Sequence, residues 1–142
     1  MAQERALTEA QRQEMARAAF LVLNDPQFAR VFAAGSRAEA ALVGTSPKLP
    51  AGLNVSGRMD RLLVENDRVL VVDFKTNRPA PSRVEDTDLG YITQMAIYTA
   101  VLGEIFPGRP IEAALVWTDG PKLMAIPEKM MAQALAALAK DG

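Results

Sequence analysis

From Val55 to Lys75 the chain reads VSGRMDRLLVENDRVLVVDFK, two β-rich runs separated by Asn66-Asp67. Asn tolerates the positive φ that a two-residue hairpin turn demands, so Val55–Glu65 and Arg68–Lys75 are expected to pair as an antiparallel hairpin. With Asn66 and Asp67 at the turn, Glu65 stands across from Arg68, and Asp60 stands directly across from Asp73. Side chains alternate along a strand, so Val69, Val71 and Lys75 share the face of Asp73, and Leu62 and Val64 join it from the partner run. Phe74 points to the other face. The placement depends on the turn, because a slip of one residue moves Asp60 to the opposite face.

Upstream of the hairpin, Ala38–Val43 reads as a short strand, and Gly44–Gly52 as a surface loop rich in Gly, Ser and Pro. Before it, Ala6–Leu23 carries a helical stripe at Met15, Ala18, Ala19 and Val22, with Thr8 and Gln11 fitting a capping box. Asn24-Asp25-Pro26 ends that helix, and Gln27–Phe32 reads as a further short helical stretch. Downstream, Thr76–Thr87 is a loop, marked by Asn77, Pro79, Pro81, Ser82 and Asp86. The run Asp88–Ile105 is helical, with Tyr91, Met95, Tyr98 and Leu102 along one side, and Pro107-Gly108 stops it. Ile111–Thr118 is a strand, Asp119-Gly120 a turn and Leu123–Ile126 a short return strand; Pro127 opens a last helix over Glu128–Lys140. The order is helix, three strands, helix, strand, return strand, helix. It predicts a single α/β domain over residues 1–142, layered around a mixed sheet.

Sixteen Lys and Arg against seventeen Asp and Glu leave a net charge of −1, so no overall basic field attracts a polyanion. The chain has no Cys and no His, which excludes a disulfide framework, a thiolate nucleophile, an iron–sulfur cluster, a zinc ribbon, His-ligated metals and imidazole general-base catalysis. Carboxylates, Lys, Tyr and hydroxyls remain, a set suited to hard, oxygen-ligated cations such as magnesium. No G-x-x-x-x-G-K-[ST] run is present, so the chain is not an ATP motor by itself. No apolar run approaches the roughly 18 residues of a membrane span, and the opening Met1–Gln13 is polar. A soluble, cytoplasmic protein without membrane contact is expected.

Like charges opposed across a strand pair destabilise it, and burial raises the cost of ionising them. A cation is therefore expected between Asp60 and Asp73. Lys75 offsets part of the charge, and a divalent cation bridging the two carboxylates accounts for the arrangement more fully. Such a cation would polarise a phosphoryl oxygen and acidify water, with Lys75 orienting the nucleophile or stabilising charge. The plainer alternative stays open, since an Asp-x-Lys triplet is common on strands. Gln94 and Tyr98 share one helix face at i, i+4, either as a core Tyr with a rim Gln or as part of a site. Glu39, in the first strand, reads as a charge on a solvated face or as a group supporting the Asp pair. Arg37, Lys48, Arg58, Arg61, Arg78 and Arg83 are too scattered to form a nucleic-acid patch.

Three segments, Gly57-Arg58-Met59-Asp60-Arg61, then Val71-Val72-Asp73-Phe74-Lys75-Thr76-Asn77-Arg78, then Gln94-x-x-x-Tyr98, together resemble the motifs of the RecB-like branch of PD-(D/E)XK nucleases. Phe106-Pro107-Gly108-Arg109 and Leu115-Val116-Trp117-Thr118-Asp119-Gly120 are similar to the C-terminal nuclease domain of AddA-type helicase–nuclease subunits of bacterial double-strand-break repair. The resemblance runs from about Phe32 to Pro127. It implies a restriction-endonuclease-like core and magnesium-dependent DNA exonuclease activity, with manganese as an alternative ion. In that family's terms Asp60 and Asp73 bind the metal, the Phe74 carbonyl is a further ligand, Lys75 is the catalytic lysine, and Gln94 and Tyr98 position DNA. Glu39 falls where related chains also place a strand Glu. The implied partners are DNA, ATP-driven motor domains of the same protein and an AddB-type subunit.

One departure stands out. Family members carry a His on an upstream helix that completes the metal site, and this chain has none. The resemblance thus leads us to expect the C-terminal part of a larger helicase–nuclease, with reduced metal affinity and weak or absent cleavage on its own. A nuclease-fold module that binds DNA or acts as a scaffold with an incomplete site is the alternative. A stand-alone restriction-type nuclease would need its own duplex recognition, and neither a basic stripe nor a reading helix is visible.

Overall fold

The computed structural model describes residues 8–10, 12–13, 36–77, 79–119 and 122–141. Glu9, Ala10, Arg12 and Gln13 are helical, and the Arg12 N–H donates to the Thr8 carbonyl at 2.9 Å. The rest of the helix expected over Ala6–Leu23, its capping partner Gln11 and the stretch Gln27–Phe32 lie outside the described residues, as do Arg78 and Gly120.

Five strands lie in chain order across one mixed sheet: β1 (Ser36–Gly44), β2 (Val55–Val64), β3 (Val69–Lys75), β4 (Ile111–Trp117) and β5 (Lys122–Ile126). Neighbours are antiparallel except β3 and β4. That parallel pair requires a crossover, which the helix α1 (Leu89–Ile105) supplies; a second helix, α2 (Glu128–Asp141), follows β5. Asp88 sits just before α1, where its carboxylate accepts the Gly90 N–H at 2.8 Å and caps the helix start. Gly108 reverses the chain beyond α1 with φ 85°, a conformation that costs other residues more.

The hairpin forms in the expected alignment. Glu65 N–H donates to the Arg68 carbonyl at 2.8 Å across Asn66-Asp67, and the Arg68 guanidinium meets the Glu65 carboxylate at 3.0 Å. Val64 pairs with Val69, Leu62 with Val71 and Arg61 with Val72. The ladder is shorter than the sequence suggests, because it stops at Arg61–Val72, while β2 continues along β1 as far as Val55.

The β1–β2 ladder contains a twin irregularity. Val55 and Met59 belong to the main core, but so do Leu62 and Val64, so the inward face of β2 changes parity between Met59 and Leu62. Across from it, Arg37 opposes Leu62 while Ala40 opposes Met59, so β1 changes parity at the same level. Glu39 lies there, opposite Asp60, with φ 51°, and neither residue is in the ladder. Both strands change face together, so their alignment is the same on either side.

The main core lies between the sheet and the helices. Val69, Val71, Leu115 and Trp117 pack with Ile92, Met95 and Val101 of α1 and with Met131 and Ala134 of α2. Burying each large aliphatic side chain contributes about 1.5–3 kcal/mol relative to exposure. On the other face, Leu63, Leu70, Val72, Ala114 and Val116 form a smaller cluster with Phe74 and Leu123, as strand alternation predicts. Gly57 lets β2 pass close under α1: a Cβ added there would stand 2.7 Å from the Tyr98 hydroxyl.

Gly57→Ala is therefore expected to destabilise the protein by about 1–3 kcal/mol through overpacking. Gly103→Ala, on α1 where an added Cβ meets nothing within 4 Å, is expected to stabilise it by about 0.5–1 kcal/mol. Urea denaturation of the two variants measures both.

Candidate active site

Where β2 leaves β3, a side chain takes over from the backbone. One residue beyond the last ladder pair, the Asp60 carboxylate accepts the Phe74 N–H at 2.8 Å, in place of a strand–strand bond. This brings the Asp60 carboxyl beside that of Asp73, near enough for the two to interact. Lys75, two residues on and on the same face, places its Nζ 2.6 Å from the Asp73 carboxylate. The pair is shielded, with side-chain exposures of 15% for Lys75 and 12% for Asp73, so water screens it less than a surface ion pair. The three residues that the sequence singled out first are thus brought together at the C-terminal end of β3.

Burial, and after it the neighbouring Asp73 carboxyl, push the Asp60 carboxyl up to about 7, while the Phe74 N–H and the Lys75 ammonium pull it down. One lysine does not neutralise the pair, and in the metal-free protein a proton supplies the rest. Two adjoining carboxylates with an excess of negative charge fit a hard divalent cation, which would replace that proton. Among the described residues no third acidic side chain joins them. Glu39 stands opposite Asp60 in the strand alignment, but its side chain is exposed.

Gln94 is exposed on α1, and its Nε2 donates to the buried Tyr98 hydroxyl at 3.3 Å, over Gly57 of β2. The pair therefore flanks β2 three residues before Asp60. Arg83 is neutralised by Asp86 at 3.3 Å, and the Arg61 Nε donates to Ser36 Oγ at 3.0 Å. A cavity of about 1070 Å³ bordered by Leu70, Ala114, Leu123 and Met131 includes none of Asp60, Asp73 and Lys75.

Two aromatic residues next to Lys75 escaped the sequence reading as site residues. The Lys75 ammonium lies 3.9 Å from the centre of the Tyr91 ring, a cation–π contact that fixes it beside Asp73. Tyr91 in turn packs at 6.2 Å against Trp117, which is the neighbour of Lys75 across the β3–β4 ladder. The available signal was the helical stripe containing Tyr91, but the sequence alone did not show that its first turn lies over the end of β3.

A carboxyl whose folded pKa is raised contributes stability that is full at low pH and is lost as pH rises through the folded value. Between about pH 4 and 8 the metal-free protein is expected to lose melting temperature relative to Asp60→Asn, which keeps an acceptor for the Phe74 N–H without the charge. A divalent cation should restore wild-type stability at the upper end and leave Asp60→Asn nearly unmoved; thermal melts in chelator and in metal check both.

A family model described as the PD-(D/E)XK nuclease superfamily matches residues 1–140. No curated protein matches the sequence. Among solved structures, an exonuclease candidate from Eubacterium rectale superposes with a TM-score of 0.64 at 14% identity, over 98% of this chain and 54% of that one. A looser likeness, to SSO0001, has a TM-score of 0.49 and 15% identity over 91% of this chain and 65% of that one. The chain thus spans about half the length of the Eubacterium rectale protein, and at such identity the two share a fold. The mixed sheet with its crossover helix agrees with a restriction-endonuclease-like core, and nucleases of this kind generally use divalent metal ions. With almost its whole length matched, the chain belongs to the PD-(D/E)XK nuclease superfamily.

Proposed function

We propose that this chain hydrolyses DNA phosphodiester bonds with magnesium or manganese, as the exonuclease domain of an ATP-dependent helicase–nuclease of the AddA type acting on double-strand DNA ends in recombinational repair. The observation that carries the reading is geometric: the Phe74 N–H holds the Asp60 carboxylate at 2.8 Å beside Asp73, and Lys75 Nζ lies 2.6 Å from Asp73. Asp60 and Asp73 would hold the cation, with the Phe74 carbonyl as a further donor. When bound, the cation neutralises charge on the scissile phosphate and makes water a stronger acid.

The chain's own residues do the rest. Asp73 and the Tyr91 ring hold the Lys75 ammonium in one place, so its hydrogen bonds are preorganised for the charge that grows on a phosphoryl oxygen. The backbone of Phe74 fixes the Asp60 carboxylate, which limits how far the two acids can separate. Gln94, exposed and tied to Tyr98, is available to the sugar–phosphate backbone beside the acids. The near-neutral charge fits delivery of a strand by motor domains and an AddB-type partner, since the chain has little attraction of its own for DNA.

A second reading, a nuclease-fold module that binds DNA or scaffolds without cutting it, is favoured by one observation: no third acidic residue joins Asp60 and Asp73 among the described residues. Cleavage of end-labelled DNA by the full helicase–nuclease separates the two. Catalysis predicts activity that is abolished by chelator and reduced at least about a hundredfold by Asp73→Ala or Lys75→Ala, with strand unwinding retained. Unchanged cleavage in both variants would assign the module to scaffolding.

A further inference from the structure

Just past the end of β4, the chain grips the segment that leaves β3 at two points. The Thr118 N–H donates to the Lys75 carbonyl at 2.9 Å, one step beyond the last β3–β4 ladder pair, and the Asp119 carboxylate accepts the Ala80 N–H at 2.9 Å. Only residues 76–79 lie between the two anchor points. From β5, Lys122 Nζ adds a third hold on the same loop, donating to the Pro81 and Ser82 carbonyls at 3.2 and 2.8 Å. The Asp119 bond is charge-assisted and half-buried, which makes it stronger than a bond between neutral groups.

The stretch held in this way contains Asn77, whose Oδ1 accepts the Tyr91 hydroxyl at 3.2 Å. The same Tyr91 ring lies 3.9 Å from the Lys75 ammonium. A continuous set of contacts therefore runs from Asp119 through the loop backbone to Asn77, from Asn77 to the Tyr91 ring, and from the ring to Lys75 Nζ. Asn77 is exposed on a connecting segment, where a side chain follows the motion of its backbone unless the backbone is anchored. Lys75 fixes the segment on one side and Asp119 fixes it on the other, so the acceptor offered to Tyr91 stays in place.

We propose that Asp119 is a positioning residue for Lys75: by holding Ala80 it keeps Asn77 in place, and through Asn77 it keeps the Tyr91 ring against the ammonium. The effect on cleavage rests on the nuclease reading, whereas the effect on the ring can be measured without any substrate. An ammonium held still serves the charge that grows in the transition state, so loosening it lowers kcat and leaves KM as it was.

Trp117 is the chain's one tryptophan and its ring centre stands 6.2 Å from that of Tyr91, so near-ultraviolet circular dichroism of the metal-free chain reads the placement of the Tyr91 ring. Asp119→Ala is expected to weaken that signal, and Asp119→Asn, which keeps a side-chain acceptor for the Ala80 N–H, to preserve it. Asn77→Ala, at an exposed position, releases the ring from the other end and is expected to weaken the signal with the fold intact. In the full helicase–nuclease, Asp119→Ala is expected to lower kcat for end-labelled DNA about tenfold at unchanged KM, with Asp119→Asn close to wild type. Combined with Tyr91→Leu it should cause no further loss, because the ring that it holds is already gone.

An aromatic signal unchanged in Asn77→Ala overturns the proposal, even where Asp119→Ala does not fold. Asp119→Asn as impaired as Asp119→Ala overturns it too, as does a loss in Asp119→Ala that adds in full to that of Tyr91→Leu. Wild-type cleavage that Asp119→Ala leaves unaltered overturns the positioning role and leaves the nuclease reading standing. The expected loss of signal in a protein that cuts no DNA, wild type included, upholds the hold on Tyr91 and removes the nuclease reading.

Discussion

The hydrogen bond from the Phe74 N–H to the Asp60 carboxylate is the constraint on which the site depends. Two acids in contact repel each other, and strands that carry them would separate unless something else held them in place. Here the backbone of β3 binds one acid directly while Lys75 pairs with the other. The sheet gives up a ladder bond at this point and gains a fixed carboxylate. The buried aliphatic residues on both faces of β3 make that exchange affordable, since Val69, Val71 and Val72 are each no more than 1% exposed.

The site's position follows from topology. β3 runs antiparallel to β2 and parallel to β4, so it is the strand at which the sheet changes pairing. Ligand sites of open α/β sheets gather beyond the carboxyl ends of such strands, where the connections diverge. Lys75 and Trp117 end β3 and β4 side by side, and α1 begins above them with Tyr91 in its first turn. One short region therefore offers paired acids, an immobilised ammonium and aromatic walls, without any imidazole or thiol in the chain.

Much of this was readable from residue order. The turn at Asn66-Asp67 fixed the alignment of Asp60 with Asp73, and strand alternation put Lys75 on their face and Phe74 on the other. The crossover helix and both C-terminal elements also lie within two residues of where pattern placed them. Two things were hidden. Alternation does not reveal where a ladder ends, because that depends on the competing pairing of β2 with β1, so the replacement of a backbone bond by the Asp60 side chain could not be seen. Nor does a sequence show which helical turn covers which strand end, so the stacking of Tyr91 on Lys75 and the hold of Asp119 on the loop after β3 needed the assembled fold. Positive φ at Glu39 was equally silent, since nothing in the run of Ala around it signals a left-handed residue.

That left-handed residue has a consequence for how the sheet can change. Glu39 and Asp60 interrupt β1 and β2 at one level, so the alignment on either side is unaltered. Deleting or inserting a residue in one strand alone would turn every side chain beyond it to the opposite face, taking Leu62 out of the core. The two strands can therefore be shortened or lengthened here only as a pair. The loop 45–54 is no free spacer either, since it sends Leu49 into the core, so the level of the acids stays locked against single insertions in either strand.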